Sequence, residues 1–172
     1  MKKDNKMREI RIEKITLNFG AGKDTDLLDK GIALIKMIAG KPPVKTITKK
    51  RIPEWGVRPG IPLGCKLTLR GEAADQLLKQ LLKAKDNILR KECFGIGNFS
   101  FGIPEYIDIP GAKYSPELGI LGFEVAVTLE RPGFSIRHRK RQKKKIGSRH
   151  MISAADTLKF AQEKLGIKLG EE

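Results

Sequence analysis

Apolar and polar residues alternate from Ile15 to Phe19, with Ile15, Leu17 and Phe19 separated by Thr16 and Asn18. That two-residue period is the mark of a strand with one buried face. The strand stops at Gly20-Ala21-Gly22, and the period then lengthens. Leu28, Ile32, Ile35 and Ala39 share one face of a helix predicted over residues 24–39, with Asp24 or Thr25 as its cap and Gly40, Pro42 and Pro43 after its end. Residues 44–50 read as extended. Pro53, Pro59, Gly60, Pro62 and Gly64 then mark a long loop, a length that in a small domain usually serves function. Cys65, Leu67 and Leu69 alternate with Lys66, Thr68 and Arg70, giving a strand with one apolar face and one face of hydrogen-bond donors. Leu77, Leu78, Leu81 and Leu82 define an amphipathic helix between 72 and 85, and Phe99 and Phe101 alternate with Asn98 and Ser100 in a short strand. Phe123, Val125, Val127 and Leu129 form the clearest strand. Ser153 with Asp156 has the spacing of a capping box ahead of a helix closed by Gly166. This order predicts an α+β fold, a mostly antiparallel sheet with helices packed on one side.

Charge changes the picture. The 172 residues hold 35 Lys+Arg against 20 Asp+Glu, a net charge of +15, and the excess is concentrated. Residues 41–70 carry +7 and residues 131–150 carry +9, leaving the rest of the chain near neutral at −1. A cationic excess confined to two internal segments points to an anionic partner. Nucleic acid fits better than a membrane surface, because residues 131–150 include Pro132, Gly133 and Gly147 and show no apolar stripe. The 40% of hydrophobic residues suffices for a core. The opening MKKDNKMREI lacks the apolar centre of a secretory signal, and no apolar run reaches the ~20 residues of a bilayer span. With Cys65 and Cys93 far apart, a reducing compartment is expected.

Catalytic patterns fail on spacing. Gly20-Ala21-Gly22-Lys23 has Leu17 where a P-loop needs its first glycine, and Asp24 where it needs Ser or Thr. Gly95-Ile96-Gly97 has Ser100 in place of the third glycine of a dinucleotide fingerprint. His138 and His150 lie among cations, without a sequence neighbour to orient either as a base, and read as surface or packing residues. Cys65 falls on an apolar strand face and reads as core. Asp24, Asp26 and Asp29 match the acids expected in a first helical turn. Two histidines and two separated cysteines are too few for a zinc cluster, so neither metal, cofactor nor enzymatic activity is expected.

Five stretches together carry a resemblance. Ile12 to Gly20, Gly40 to Thr46 with Thr48-Lys49-Lys50, Pro62 to Gly71, Gly97 to Ile103 with Glu105-Tyr106-Ile107, and Gly122 to Val125 with Arg131 to Ile136 resemble the large-subunit ribosomal protein L five family in its archaeal and eukaryotic branch. The resemblance runs from about Met7 to Gly166. It implies a structural protein of the cytoplasmic ribosome that binds 5S ribosomal RNA and large-subunit ribosomal RNA in the central protuberance, beside other ribosomal proteins there. It further implies contact with the P-site tRNA and with small-subunit protein thirteen across a subunit bridge. Asn18, Thr46, Lys49, Lys50, Thr68 and Arg70 match the family's RNA-facing positions, and Lys45, Arg51 and Lys66 join them on charge. The loop Trp55, Gly56, Val57, Arg58, Pro59 and Gly60 resembles the family's tRNA-contacting finger, with Trp55 where Phe is usual. Lys41 stands where bacterial relatives carry glutamine.

Residues 7–170 are expected to act as one RNA-binding domain, with 1–6 a flexible extension and Met7 an alternative start. Within it, Arg137, Arg139, Lys140, Arg141, Lys143, Lys144, Lys145 and Arg149 are expected on a basic extension, 131–150, lying extended against ribosomal RNA and ordering on assembly. A free-standing DNA-binding protein would want a basic recognition helix, whereas helices 24–39 and 72–85 are mixed in charge. An RNA-modifying enzyme would want a nucleophile or base in a pocket, and no motif in the sequence assembles one.

Overall fold

The computed structural model describes residues 5–54 and 56–170. β1 (Arg11–Gly20) buries Ile15, Leu17 and Phe19 on one face and exposes Asn18 on the other. α1 (Thr25–Ala39) begins at Asp24, whose carboxylate accepts hydrogen bonds from the Asp26 and Leu27 amides at 3.0 and 3.2 Å. Those are donors that a helix start otherwise leaves unpaired. It ends at Gly40, in the left-handed region at φ 66°. β2 (Val44–Ile47), β3 (Pro62–Leu69), α2 (Glu72–Lys83), β4 (Ile88–Leu89), β5 (Asn98–Ile103), β6 (Phe123–Glu130), α3 (Ser135–His138), α4 (Ala154–Leu165) and β7 (Lys168–Leu169) follow.

Five strands form one sheet in the order β2-β3-β1-β6-β5, each antiparallel to its neighbours. The inward residues of β1, β3, β5 and β6 join Leu28, Leu34 and Ile35 of α1, Leu77, Leu78, Leu81 and Leu82 of α2, and Phe160 and Ala161 of α4 in one buried cluster. Each fully buried leucine there contributes about 1.5–3 kcal/mol. Gly31 lets α1 lie close on the sheet, since a β-carbon at that position would overlap the Phe19 ring. The fold is thus α+β with helices against one sheet face, as the periodicities predict.

Four details differ. The third strand starts at Pro62, earlier than its alternation indicates. The second helix ends at Lys83, where the chain turns through Asp86 and Asn87 at φ 52° and 56°. The extended stretch after Pro43 is a strand only to Ile47, with its register broken between Thr46 and Ile47. The parallel pair β4 and β7 is two residues long on each side and leaves no period to read. Of the expected extension 1–6, residues 1–4 lie outside the described residues, while Asn5 caps a 3-10 turn over Lys6–Arg8 by accepting from the Met7 amide at 3.0 Å.

Candidate nucleic-acid interface

Residues paired across neighbouring strands point to the same side of a sheet. On the side away from the helices, Val44, Lys66, Asn18, Glu124 and Gly102 form one row across β2, β3, β1, β6 and β5. Thr68, Thr16, Ala126 and Ser100 form the next. Lys66, Asn18, Thr68, Ser100, Glu124 and Ala126 are all exposed. The face carries hydroxyls, an amide and small residues that keep the backbone near the surface. Its charge is graded: Lys66 and, past the strand end, Arg70 stand on the β3 side, whereas Glu124 on β6 accepts from Asn18 Nδ2 at 3.1 Å. Such a surface offers phosphates a cationic margin and offers sugar hydroxyls and unpaired bases a field of donors and acceptors.

The long loop between β2 and β3 is a hairpin that prolongs their ladder. The Thr48 amide donates to the Ile61 carbonyl at 3.0 Å, the Gly60 amide to Thr48 at 2.9 Å, and Ile52 and Val57 exchange two bonds of 3.0 Å. Gly56, at φ 58°, closes the tip by donating to Pro53 at 2.8 Å. Lys49, Lys50 and Arg51 lie exposed on the outgoing arm, and Arg58, Pro59 and Gly60 on the return. Val57, expected in the contacting finger, is buried at 1% exposure and pins the tip. Trp55 lies outside the described residues. The end of the Lys23 side chain rests against Gly56, so the lysine of the rejected P-loop pattern borders the finger.

Lys45 stands apart from the other expected residues. It pairs with inward-facing Cys65, so it falls on the helix side, its Nζ 3.6 Å from an Asp29 carboxylate oxygen. Both partners are exposed, and such a pair contributes little. Thr46 is on the outer side opposite Gly64 but half-buried. Asn98, Ser100 and Thr16 complete the outer face beside the residues expected there. Their signal in the sequence is the polar half of the strand alternations.

The second basic segment is built differently. Arg131 is not a free cation: it is 8% exposed, its Nη1 donating to the Met151 carbonyl at 2.9 Å and the His150 carbonyl at 3.4 Å, and its Nη2 to Asp156 Oδ2 at 3.1 Å. From the other end, His150 Nε2 donates to the Pro132 carbonyl at 2.9 Å, and its ring meets Phe134 edge-on at 5.7 Å. The intervening chain is therefore not extended throughout. It forms α3, then folds back, the Lys144 amide donating to Ile136 at 3.3 Å and Arg139 Nε to Gln142 at 2.9 Å. Arg137, Arg139, Lys140, Arg141, Lys143, Lys144, Lys145 and Arg149 are all exposed on this loop.

Two groups titrate away from their usual range. Hydrogen bonding from the Ser153 amide, then from the Ser153 hydroxyl and the Arg131 guanidinium, holds the Asp156 carboxyl below it despite some desolvation. Burial pushes the Cys65 thiol up, with Lys45 opposing, as suits a core residue and not a nucleophile. Among the described residues no cluster of His, Cys, Asp and Glu could hold a metal ion, and no helix is long and apolar enough to cross a membrane.

Comparison with known proteins gives a consistent result. Residues 5–58 match the family model described as ribosomal protein L5, and residues 62–156 match the model of that family's C-terminus. The two matches meet inside the β2–β3 hairpin. The chain is 49% identical over 167 residues to large ribosomal subunit protein uL5 of Nanoarchaeum equitans, spanning 96% of this chain and 99% of that one. It is 41% identical to the proteins of the same name from Nitrosopumilus maritimus, over 95% of each chain, and Methanobrevibacter smithii, over 95% of this chain and 96% of that one.

Proposed function

The chain belongs to the ribosomal protein L5 family, whose members are structural constituents of the ribosome and not enzymes, and on that premise we propose that its exposed sheet face and β2–β3 hairpin dock on 5S ribosomal RNA. The single observation that carries this is the register that sets Lys66, Asn18, Thr68 and Thr16 side by side on an exposed face, with Lys49, Lys50 and Arg51 on the adjoining hairpin. Lys66, Arg70 and the hairpin cations neutralise phosphates; Asn18, Thr16 and Thr68 bond to sugar hydroxyls or base edges in an unpaired loop.

The same family resemblance supports the remaining contacts of this proposal. The hairpin tip, from residue 55 to Gly60, reaches the P-site tRNA, and the basic loop lies on large-subunit ribosomal RNA. Small-subunit protein thirteen meets the chain at a subunit bridge, and neighbouring proteins of the central protuberance surround it in the cytoplasmic ribosome. Residues 7–170 act as one RNA-binding unit, a reading supported by β1, from the first family segment, lying between β3 and β6 of the second.

A gel shift of the purified protein on 5S RNA, with tRNA and duplex DNA as competitors, tests this. Preference for 5S RNA is expected, with log K falling against log salt at about −0.7 to −0.9 per phosphate contacted. Equal binding to all three nucleic acids, or an affinity indifferent to salt, overturns it.

A further inference from the structure

Nine cations fall between residues 131 and 150, yet one of them is spent inside the protein. A guanidinium out of water is costly unless its donors are satisfied, and Arg131 satisfies both terminal nitrogens on two carbonyls and one carboxylate, leaving only its buried Nε without a partner among the described residues. All three acceptors lie beyond the loop or at its end: His150, Met151 and Asp156. His150 returns the connection to Pro132. The loop thus leaves and re-enters the body through a neck tied twice. Asp156 also caps α4, accepting from the Ser153 amide at 3.2 Å while Ser153 Oγ accepts from the Asp156 amide at 3.1 Å. The same carboxylate therefore holds the helix start and the loop neck together, and Thr157 one residue on accepts from the Gly97 amide beside β5 at 3.2 Å.

We propose that Arg131 is a positioning residue that closes the neck of the 132–149 loop, so that its eight exposed cations meet RNA as a preformed surface. The RNA half of this rests on the reading of the loop as a ribosomal RNA contact; the closed neck does not. A preformed loop loses less conformational freedom on binding than a free one. Arg131 therefore raises affinity without touching a phosphate, and removing it lowers the affinity while leaving the number of released counterions unchanged.

Two measurements on the full chain separate the parts. In limited trypsin digestion of the free protein, Arg131→Met should speed cleavage within 137–149 about tenfold, with cleavage elsewhere and the far-ultraviolet spectrum unchanged. Arg131→Lys should restore most of the protection, since an ammonium can still reach a carbonyl and the carboxylate. His150→Phe keeps the aromatic contact with Phe134, loses the bond to Pro132, and should act in the same direction more weakly, which covers the case of Arg131→Met failing to fold. Unchanged loop cleavage, or faster cleavage spread evenly over the chain, overturns the latch. In binding to a large-subunit ribosomal RNA fragment, Arg131→Met should lower affinity about fivefold at an unchanged salt slope. A slope smaller by about 0.7–0.9 would make Arg131 itself a phosphate contact and overturn the positioning role. If neutralising Lys143, Lys144 and Lys145 together leaves that slope untouched, the loop is not the RNA surface; the digestion result still decides the latch.

Discussion

The hairpin-and-sheet region of residues 41–70 and the loop of residues 131–150 carry nearly the same excess charge, +7 and +9, on opposite designs. In the first, cations sit on or beside a hydrogen-bonded ladder, so the spacing between Lys66, Asn18 and Thr68 is set by strand register. In the second, eight cations ride on a loop held by local turns and a fold-back bond instead of a ladder, tied to the body at its neck by a ninth. A ladder holds donors at fixed separations and can discriminate one RNA shape from another. A tethered loop supplies mainly charge, and charge alone does not distinguish sequences.

The largest expected effect falls on the ladder side. Lys49→Glu with Lys50→Glu should weaken 5S RNA binding by on the order of tenfold to a hundredfold, because two attractions become repulsions, while thermal unfolding stays close to that of the parent chain. Unchanged affinity at moderate salt removes these residues from the interface. Next, neutralising Lys143, Lys144 and Lys145 to Gln should leave 5S RNA binding within about twofold but lower the salt slope on large-subunit RNA by up to about 2 to 3. A larger loss on 5S RNA than on large-subunit RNA would exchange the two partners. Thr68→Val removes one hydroxyl from the outer face, keeping the shape and β-propensity of the side chain, and should cost about threefold to tenfold in 5S affinity at nearly constant stability. Equal affinity in a filter-binding titration would leave that face with phosphate contacts only.

The smallest effect concerns pH. Asp156 ionises at lower pH in the folded chain than in the unfolded one. Its contribution to stability is therefore complete above the ordinary carboxylate range and is lost as pH falls through its lowered folded value. Asp156→Asn should flatten that acid decline by less than about 1 kcal/mol, since the side chain is 39% exposed. Urea midpoints for the parent and variant at neutral and acidic pH check it; parallel declines contradict the role of the carboxylate.

Most of the scaffold was legible from periodicity, because each long strand and helix has one face that must leave water. The alternation is clearest in β6, where Phe123, Val125, Val127 and Leu129 all prove buried. The side that each cation faces was less legible. Lys45 and Lys66 read alike in sequence, yet pairing with Cys65 turns one toward the helices, and pairing with Asn18 turns the other outward. Val44-Lys45-Thr46-Ile47 has no clear alternation, so its faces depend on a partner strand that arrives only after the whole hairpin. Arg131 was indistinguishable from its neighbours, since its burial depends on carbonyls at His150 and Met151 that no side-chain pattern announces.

Lysine acetylation footprinting of the protein, free and bound to 5S RNA, separates the two regions in one experiment. Lys49, Lys50 and Lys66 should be protected by the RNA, while Lys143, Lys144, Lys145 and helix-side Lys45 remain reactive. Protection of the loop lysines with Lys49, Lys50 and Lys66 left reactive would contradict the assignment of 5S RNA to the sheet face.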